Sequence, residues 1–230
     1  MAKTEKINFD NYANEYEKIL DDDLKFFGEE NGYFADYKVK IVKETISSIP
    51  GNILEYGCGV GLNLKYFKKY FHSSKISGCD ISQKSISIAS KRNNNIDFFI
   101  IDDNTLRERR EKFDLVFVSC VFHHIAPGLR SNSLNQIKNL LKPCGTLFVF
   151  EHNPYNPVTR KIVKDCIWDK DAILINTKTI SDLMTNAGFE ITEKKFTLFF
   201  PAQLSFLRSL EKFLGHIPLG GQYYVKGIKK

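Results

Sequence analysis

The chain is poor in the features that mark most specialised protein classes. Its five cysteines (Cys58, Cys79, Cys120, Cys144 and Cys166) are scattered singly, odd in number, and include no C-x-x-C pair. That pattern argues against both a disulfide framework and a zinc site, so most of the thiols read as small packing residues and no metal is expected. No window approaches ~18 consecutive apolar residues, so no membrane-spanning helix is expected. The first residues, Met1 to Asn14, lack the apolar core of a signal peptide, which points to a cytoplasmic protein. Internal repeats and low-complexity tracts are missing too. Neither sign of charge dominates: 33 Lys and Arg stand against 27 Asp and Glu, a net +6 that permits an acidic partner without requiring one.

What is present suits one α/β domain with a large core: 230 residues, 43% hydrophobic and 26% charged. The organising stretch is Ile53-Leu54-Glu55-Tyr56-Gly57-Cys58-Gly59-Val60-Gly61-Leu62-Asn63. An apolar strand runs into three glycines spaced two apart, and Leu64, Phe67 and Phe71 then recur at helical period. Such a turn lets backbone lie against a ligand and offers the N–H groups of a helix N-terminus to a polar group. The spacing is G-x-G-x-G, whereas a dinucleotide turn requires G-x-G-x-x-G. Glu55, two residues before the turn, suits a ligand carrying an ammonium group and gives a pyrophosphate nothing.

Strand and helix alternate from 51 to 151. Lys75 to Asp80 reads as a second strand, followed by a helix capped by Ser82, and Ile96 to Ile101 as a third. Phe113 to Ser119 is an apolar run fit for a strand buried on both faces; Ser131 to Leu141 is helical, and Lys142 to Gly145 stops it before a fifth strand, Thr146 to Glu151. This alternation predicts a doubly wound, mostly parallel sheet with helices on both faces. Ligands in such sheets sit beyond the carboxyl ends of the strands. Glu55, Asp80, Asp102 and Glu151 each end a strand there, so they are expected to share one edge.

The flanks are less regular. Residues 7 to 49 read as two helices broken around Gly28, Asn31 and Gly32; 154 to 175 as a long connection; Ile180 to Ala187 as a helix closed by Gly188; and Phe189 to Phe200 and Gln222 to Ile228 as the last two strands. The expected organisation is an N-terminal helical cap over 1–50 and a ligand-binding domain over 51–230, with 154–175 and 201–221 as substrate-side insertions. Leu204, Phe206, Leu207, Leu210, Phe213 and Leu214 give residues 201–214 a wide apolar face with Arg208 and Lys212 on the other. Two readings are open: a core-packing helix between the last strands, or an element that covers an apolar substrate or rests on a bilayer surface.

In motif order, residues 51 to 152 resemble the class I S-adenosylmethionine (SAM) dependent methyltransferases. The glycine turn with Glu55 resembles the family's first motif. Asp80, in Gly78-Cys79-Asp80-Ile81-Ser82, matches its second-strand acid, and Asp102, or Asp103 in an alternative register, its third-strand acid. The resemblance implies a seven-stranded Rossmann-like sheet with an antiparallel last strand and SAM as cofactor. Glu55 and the backbone around Gly57, Cys58, Gly59, Gly61 and Ser119 would hold the amino acid moiety. Asp80 would take the ribose hydroxyls, Ile81 would pack on the adenine, and Asp102 or Asp103 would accept from its amine. Tyr12 and Tyr16 resemble an aromatic lid over the cofactor; packing of the first helix is the other reading.

Candidates for a base are His123 and His124, after the fourth strand, and His152, after the fifth. Ser119-Cys120-Val121-Phe122 occupies the place of the N-P-P-Y run of base-amine methylating members, and Cys120 lacks the proline that adjoins the nucleophile of cytosine-methylating ones. With no concentrated basic stripe, nucleic acid is not the expected partner. A small-molecule acceptor, methylated on oxygen or nitrogen, is expected, with a sugar, a quinol or lipid-like molecule, or an amine open; the rivals are a non-catalytic SAM-binding regulatory or partner protein and, behind it, an RNA-directed methyltransferase.

Overall fold

The computed structural model describes residues 31–230. In chain order these comprise α1 (Asn31–Thr45), β1 (Asn52–Tyr56), α2 (Leu64–Tyr70), β2 (Lys75–Asp80), α3 (Gln83–Arg92), β3 (Asp97–Ile100), α4 (Asp103–Glu108), β4 (Phe113–Ser119), α5 (Arg130–Leu140), β5 (Leu141–His152), α6 (Pro157–Asp165), α7 (Thr177–Asn186), β6 (Phe189–Thr197), α8 (Glu211–Leu214) and β7 (Gln222–Lys229). The strands form one sheet in the order β3-β2-β1-β4-β5-β7-β6, parallel throughout except for β7, which runs antiparallel to both neighbours.

Successive side chains of a strand point to opposite faces, and here both faces are covered. Val116 and Val118 join Leu134, Ile137 and Leu140 of α5 and Ile180 and Met184 of α7 on one face. Leu115 and Phe117 join Val39 and Val42 of α1 and Leu64 and Phe67 of α2 on the other. This explains the unbroken apolar run of β4: alternation disappears when neither face meets water. Phe67 meets Phe117 edge-on, ring centroids 5.0 Å apart, an arrangement worth about 0.5–1.5 kcal/mol beyond the area it buries.

The chain order reverses between β1 and β4, so a crevice opens between their carboxyl ends, where such sheets take ligands. The glycine turn leaves β1 into this crevice. Gly57 and Cys58 both donate backbone N–H groups to Cys79 O of β2, at 2.8 and 2.9 Å, and Gly57, Gly59 and Gly61 all lie at positive φ. A Cβ on Gly57 would stand 2.5 Å from Val121 Cγ2, so the turn is packed tightly against the loop after β4.

Several boundaries differ from the sequence reading. The second helical segment, α1, starts at Asn31 with Gly32 in its first turn, where a Cβ would meet the Tyr66 hydroxyl at 2.8 Å, and Gly28 lies outside the described residues. β5 begins at Leu141: the Lys142 to Gly145 run ends α5 but sits in a bulge of the strand, with Cys144 left-handed. Residues 154–175 contain α6, whose Asn156 cap accepts from the Val158 and Thr159 N–H groups with Pro157 in the first turn.

The core-packing reading of 201–214 is overturned. Residues 202–210 form a 3-10 helix with no buried residue, and Phe206 and Phe213 are 74% and 70% exposed. The anchor is polar: the buried Glu211 carboxylate accepts the Phe199 and Phe200 N–H groups at 3.0 and 3.1 Å and the Tyr37 hydroxyl of α1. Satisfying that carboxylate orients the segment and turns its apolar side chains outward. No helix among the described residues is long and apolar enough to cross a membrane.

Candidate active site

A cavity of about 450 Å³ occupies the crevice, a size suited to a cofactor-sized ligand. A broader depression of about 1000 Å³ lies at the opposite edge, around the strand starts Asn52, Lys75 and Phe113, away from the strand-end acids. The cavity has two regions, one around the glycine turn and one around the loop after β4.

In the first region Glu55 is buried. Its Oε1 accepts from Asn63 Nδ2 at 2.5 Å, and its Oε2 has no hydrogen-bond partner among the described residues. Burial raises its pKa to about 8 against the opposing pull of Asn63 and Lys38. An orphaned carboxylate oxygen in a cavity fits a cationic donor. Lys38 of α1 is only 8% exposed, donates from Nζ to Ser119 Oγ at 2.7 Å and lines the same cavity, so one anionic and one cationic group stand ready for a zwitterion. The sequence reading passed over Lys38. Its signal was there: Ala35, Val39 and Val42 make the buried stripe of α1, and position 38 falls on that stripe.

At the end of β2, Asp80 accepts the Gly59 N–H through Oδ2 at 2.8 Å and the Ser82 N–H through Oδ1 at 2.9 Å. A Cβ on Gly59 would meet nothing within 4 Å: it would enter open space, so the backbone itself forms a wall that a ligand can approach. Ile81 lines the cavity while 61% exposed, an apolar surface ready for a flat ring. Cys58 and Gly57 also line it, whereas Gly61 carries the chain past it toward α2. Asp102 takes a different position. It caps α4, accepting the Asn104 and Thr105 N–H groups at 2.9 Å, and neither it nor Asp103 lines the cavity, where Ile101 stands instead. Those hydrogen bonds lower the Asp102 pKa. Tyr12 and Tyr16 lie outside the described residues.

The second region gathers the three candidate histidines. Glu151 ends its strand as expected but points inward: fully buried, it accepts the Val121 and Phe122 N–H groups through Oε1 at 3.0 and 2.7 Å, and its Oε2 stands 2.6 Å from His123 Nδ1. It is thus a positioning residue. His123 Nε2 and His124 Nε2 each lie 3.3 Å from Asp169 Oδ1, and His124 Nδ1 lies 3.2 Å from Asp171 Oδ1. Burial disfavours a charged His123, but Glu151 and Asp169 outweigh it and raise its pKa; burial and His123 together lower that of His124 to about 4. Cys120, left-handed at φ 57° directly after β4, feels burial upward, yet His152 and Lys38 bring its thiol down to about 7. Asp169, Trp168 and Gln222 of this wall were not singled out in the sequence. They come from segments remote in the chain, and no local spacing announces them.

The model of the methyltransferase domain family matches residues 53–145. That match, with curated methyltransferases among the relatives, marks residues 53–145 as a SAM-dependent methyltransferase domain. Among curated relatives, demethylmenaquinone methyltransferase of Thermotoga maritima is 26% identical over 148 residues, covering 64% of this chain and 61% of that protein. Malonyl-[acyl-carrier protein] O-methyltransferase 2 of Ilyobacter polytropus is 33% identical over 101 residues, covering 42% and 37%. The chain thus spans less than two thirds of the length of these curated relatives. Among solved structures, a SAM-dependent methyltransferase from Archaeoglobus fulgidus superposes with a TM-score of 0.68 at 15% identity over 87% of this chain and 95% of that one, a likeness of fold. The family's cofactor fits the site: the orphaned Glu55 oxygen, the buried Lys38 cation and the open face of Gly59 answer a ligand with an ammonium, a carboxylate and a sugar.

Proposed function

We propose that this protein transfers a methyl group from SAM to an oxygen or nitrogen atom of a small-molecule acceptor. The observation that carries the reading is one cavity lined by Glu55, Lys38 and Asp80 on a glycine turn and continuing to His123, His124 and His152. When bound, the cofactor supplies a methyl group on an electrophilic sulfonium.

The chain's own residues bind and orient. Glu55 takes the ammonium through its orphaned oxygen, and Lys38, braced by Ser119, takes the carboxylate. Asp80, whose two oxygens accept the Gly59 and Ser82 N–H groups, takes the ribose hydroxyls. Ile81 covers the adenine; Asp102, engaged as the cap of α4, and Asp103 stand outside the cavity lining and take no part in this reading. Gly57, Cys58, Gly59 and Gly61 shape the turn. The substrate-side segments 154–175 and 201–221 bound the acceptor region, to which Thr159, Ile162, Trp168 and Gly221 contribute. Holding acceptor and donor in line is the main task in such a displacement, and well-oriented reactants gain about 7–11 kcal/mol from it.

The acceptor we infer carries a hydroxyl or amine on an apolar body, because histidines face aliphatic and aromatic walls across the same space. The outward Phe206 and Phe213, with Lys212 beside Phe213, suit peripheral contact with an anionic bilayer through 201–214. The test measures SAM and S-adenosylhomocysteine binding by calorimetry, then S-adenosylhomocysteine release over hydroxylated sugars, quinols and small amines. Absence of binding to either ligand sinks the reading; binding with no turnover on any acceptor favours a non-catalytic SAM-binding protein.

A further inference from the structure

The histidine region holds more than a proton acceptor requires. One ligating atom each from His123, His152 and Asp169 lie within 4.8 Å of one another, at the wall of the cavity. His123 and Asp169 are 1% and 10% exposed, so water satisfies them poorly. Glu151, already accepting two backbone N–H groups, acts as a carboxylate and accepts a hydrogen bond from His123 Nδ1–H at 2.6 Å. The proton a metal ion would displace is therefore the one on Nε2, which lies 3.3 Å from Asp169 Oδ1. The spacing is long for an N–H···O bond, whose range is about 2.7–3.2 Å. It matches the ligand-to-ligand edge of about 3.3 Å around a tetrahedral ion with bonds of about 2.0–2.1 Å. A carboxylate behind a histidine whose other nitrogen faces a further ligand is the outer-shell arrangement of metal-bound imidazoles.

We propose that His123, His152 and Asp169 hold a divalent transition-metal ion of the zinc class, with Glu151 orienting His123. Two nitrogens and one oxygen favour zinc or cobalt over magnesium or calcium, which seek all-oxygen sites. Three protein ligands leave a fourth position open toward the cavity, as in catalytic zinc sites. Resting on the methyltransferase reading, the consequence is an acceptor bound through a hydroxyl. A coordinated hydroxyl has a depressed pKa and gives its proton to solvent. Its oxygen forms the new bond to the methyl carbon as the carbon–sulfur bond breaks, with the electron pair staying on sulfur.

The experiment titrates cobalt(II) into the full chain, stripped with chelator and free of SAM, and follows visible absorption, with equilibrium dialysis of zinc in parallel. The site predicts one ion per chain, an intense visible band of tetrahedral type that zinc abolishes, and a rise in Tm on metal addition. Asp169→Asn and His152→Gln should each weaken binding at least 100-fold while the metal-free Tm stays near wild type. Glu151→Gln, which keeps an acceptor but loses the charge, should weaken it about 10- to 100-fold. A folded wild-type protein that takes up no cobalt or zinc at 100-fold excess overturns the proposal and leaves a hydrogen-bonded network of His123 between two carboxylates. Uptake that Asp169→Asn and His152→Gln leave unchanged overturns it as well. No arm uses SAM, so its failure is separate from failure of the methyltransferase reading.

Discussion

Asp80, at the end of β2, accepts the backbone N–H of Gly59 in the turn after β1 across 2.8 Å, so two strand ends and the glycine turn are locked into one ligand-facing unit. Removing the carboxylate loses that bond, the one to Ser82 and the proposed ribose contacts together. Asp80→Ala is expected to weaken S-adenosylhomocysteine binding by about 3 kcal/mol, roughly 150-fold, as charge-assisted hydrogen bonds contribute about 1.5–3 kcal/mol each. Calorimetry checks it, and unchanged affinity counts against the assignment.

Glu55 gives a pH dependence of defined sign. Its folded pKa of about 8 lies above the ordinary 4.5, so the protonated form is favoured by the fold and ligand-free stability falls as pH rises through that interval. Binding an ammonium needs the ionised form, so SAM affinity should rise between pH 6 and 7.5. Glu55→Gln should flatten both trends: a higher ligand-free Tm than wild type at pH 8, but weaker SAM binding. A wild-type affinity that falls over the same range contradicts the role.

Lys38→Met keeps the aliphatic stem in the α1 stripe and deletes the charge. S-adenosylhomocysteine affinity should drop by about 1.5–3 kcal/mol, roughly 10- to 150-fold, while 5′-methylthioadenosine, which has no carboxylate, binds as to wild type. Equal losses for the two ligands would place Lys38 elsewhere.

Gly57→Ala tests the turn as architecture. The new methyl would meet Val121 at 2.5 Å in a left-handed residue (φ 74°), so a loss of about 2–4 kcal/mol in urea unfolding is expected. Gly59→Ala meets nothing in the protein and should cost only about 1–2 kcal/mol of stability, from the backbone alone, while reducing SAM affinity more than tenfold.

The exposed apolar pair on 201–214 gives a surface prediction. Phe206→Ser with Phe213→Ser should leave Tm and methyl transfer to a water-soluble acceptor unchanged and reduce co-flotation with anionic vesicles. Equal flotation of wild type and variant, or none by either, removes bilayer contact from the account.

Much of this was legible in the chain. The G-x-G-x-G turn, Asp80 and the two-faced apolar run of β4 are local patterns, and local periodicity fixes sheet and crevice alike. Residues 201–214 were misjudged because their amphipathic pattern says only that an apolar face exists. What turns it outward is Glu211, tied to Tyr37, Phe199 and Phe200 from elsewhere in the fold. Asp102 illustrates a different limit: a strand-end acid followed by Thr105 is equally a helix cap, and the structure uses it as one. The His123, His152 and Asp169 cluster brings together three segments, and only the packing of α6 and the turn after it delivers Asp169 to the histidines. No spacing in the sequence encodes that approach, which is why counting cysteines gave no sign of a metal.

The central claim is that the crevice between β1 and β4 is a SAM site. Isothermal titration of S-adenosylhomocysteine into the full chain at pH 7.5 tests it most directly. The account predicts saturable binding at one ligand per chain with a micromolar Kd, lost in parallel by Asp80→Ala and Glu55→Gln. Absence of heat and of any Tm shift at millimolar ligand, in a protein shown to be folded, would contradict it.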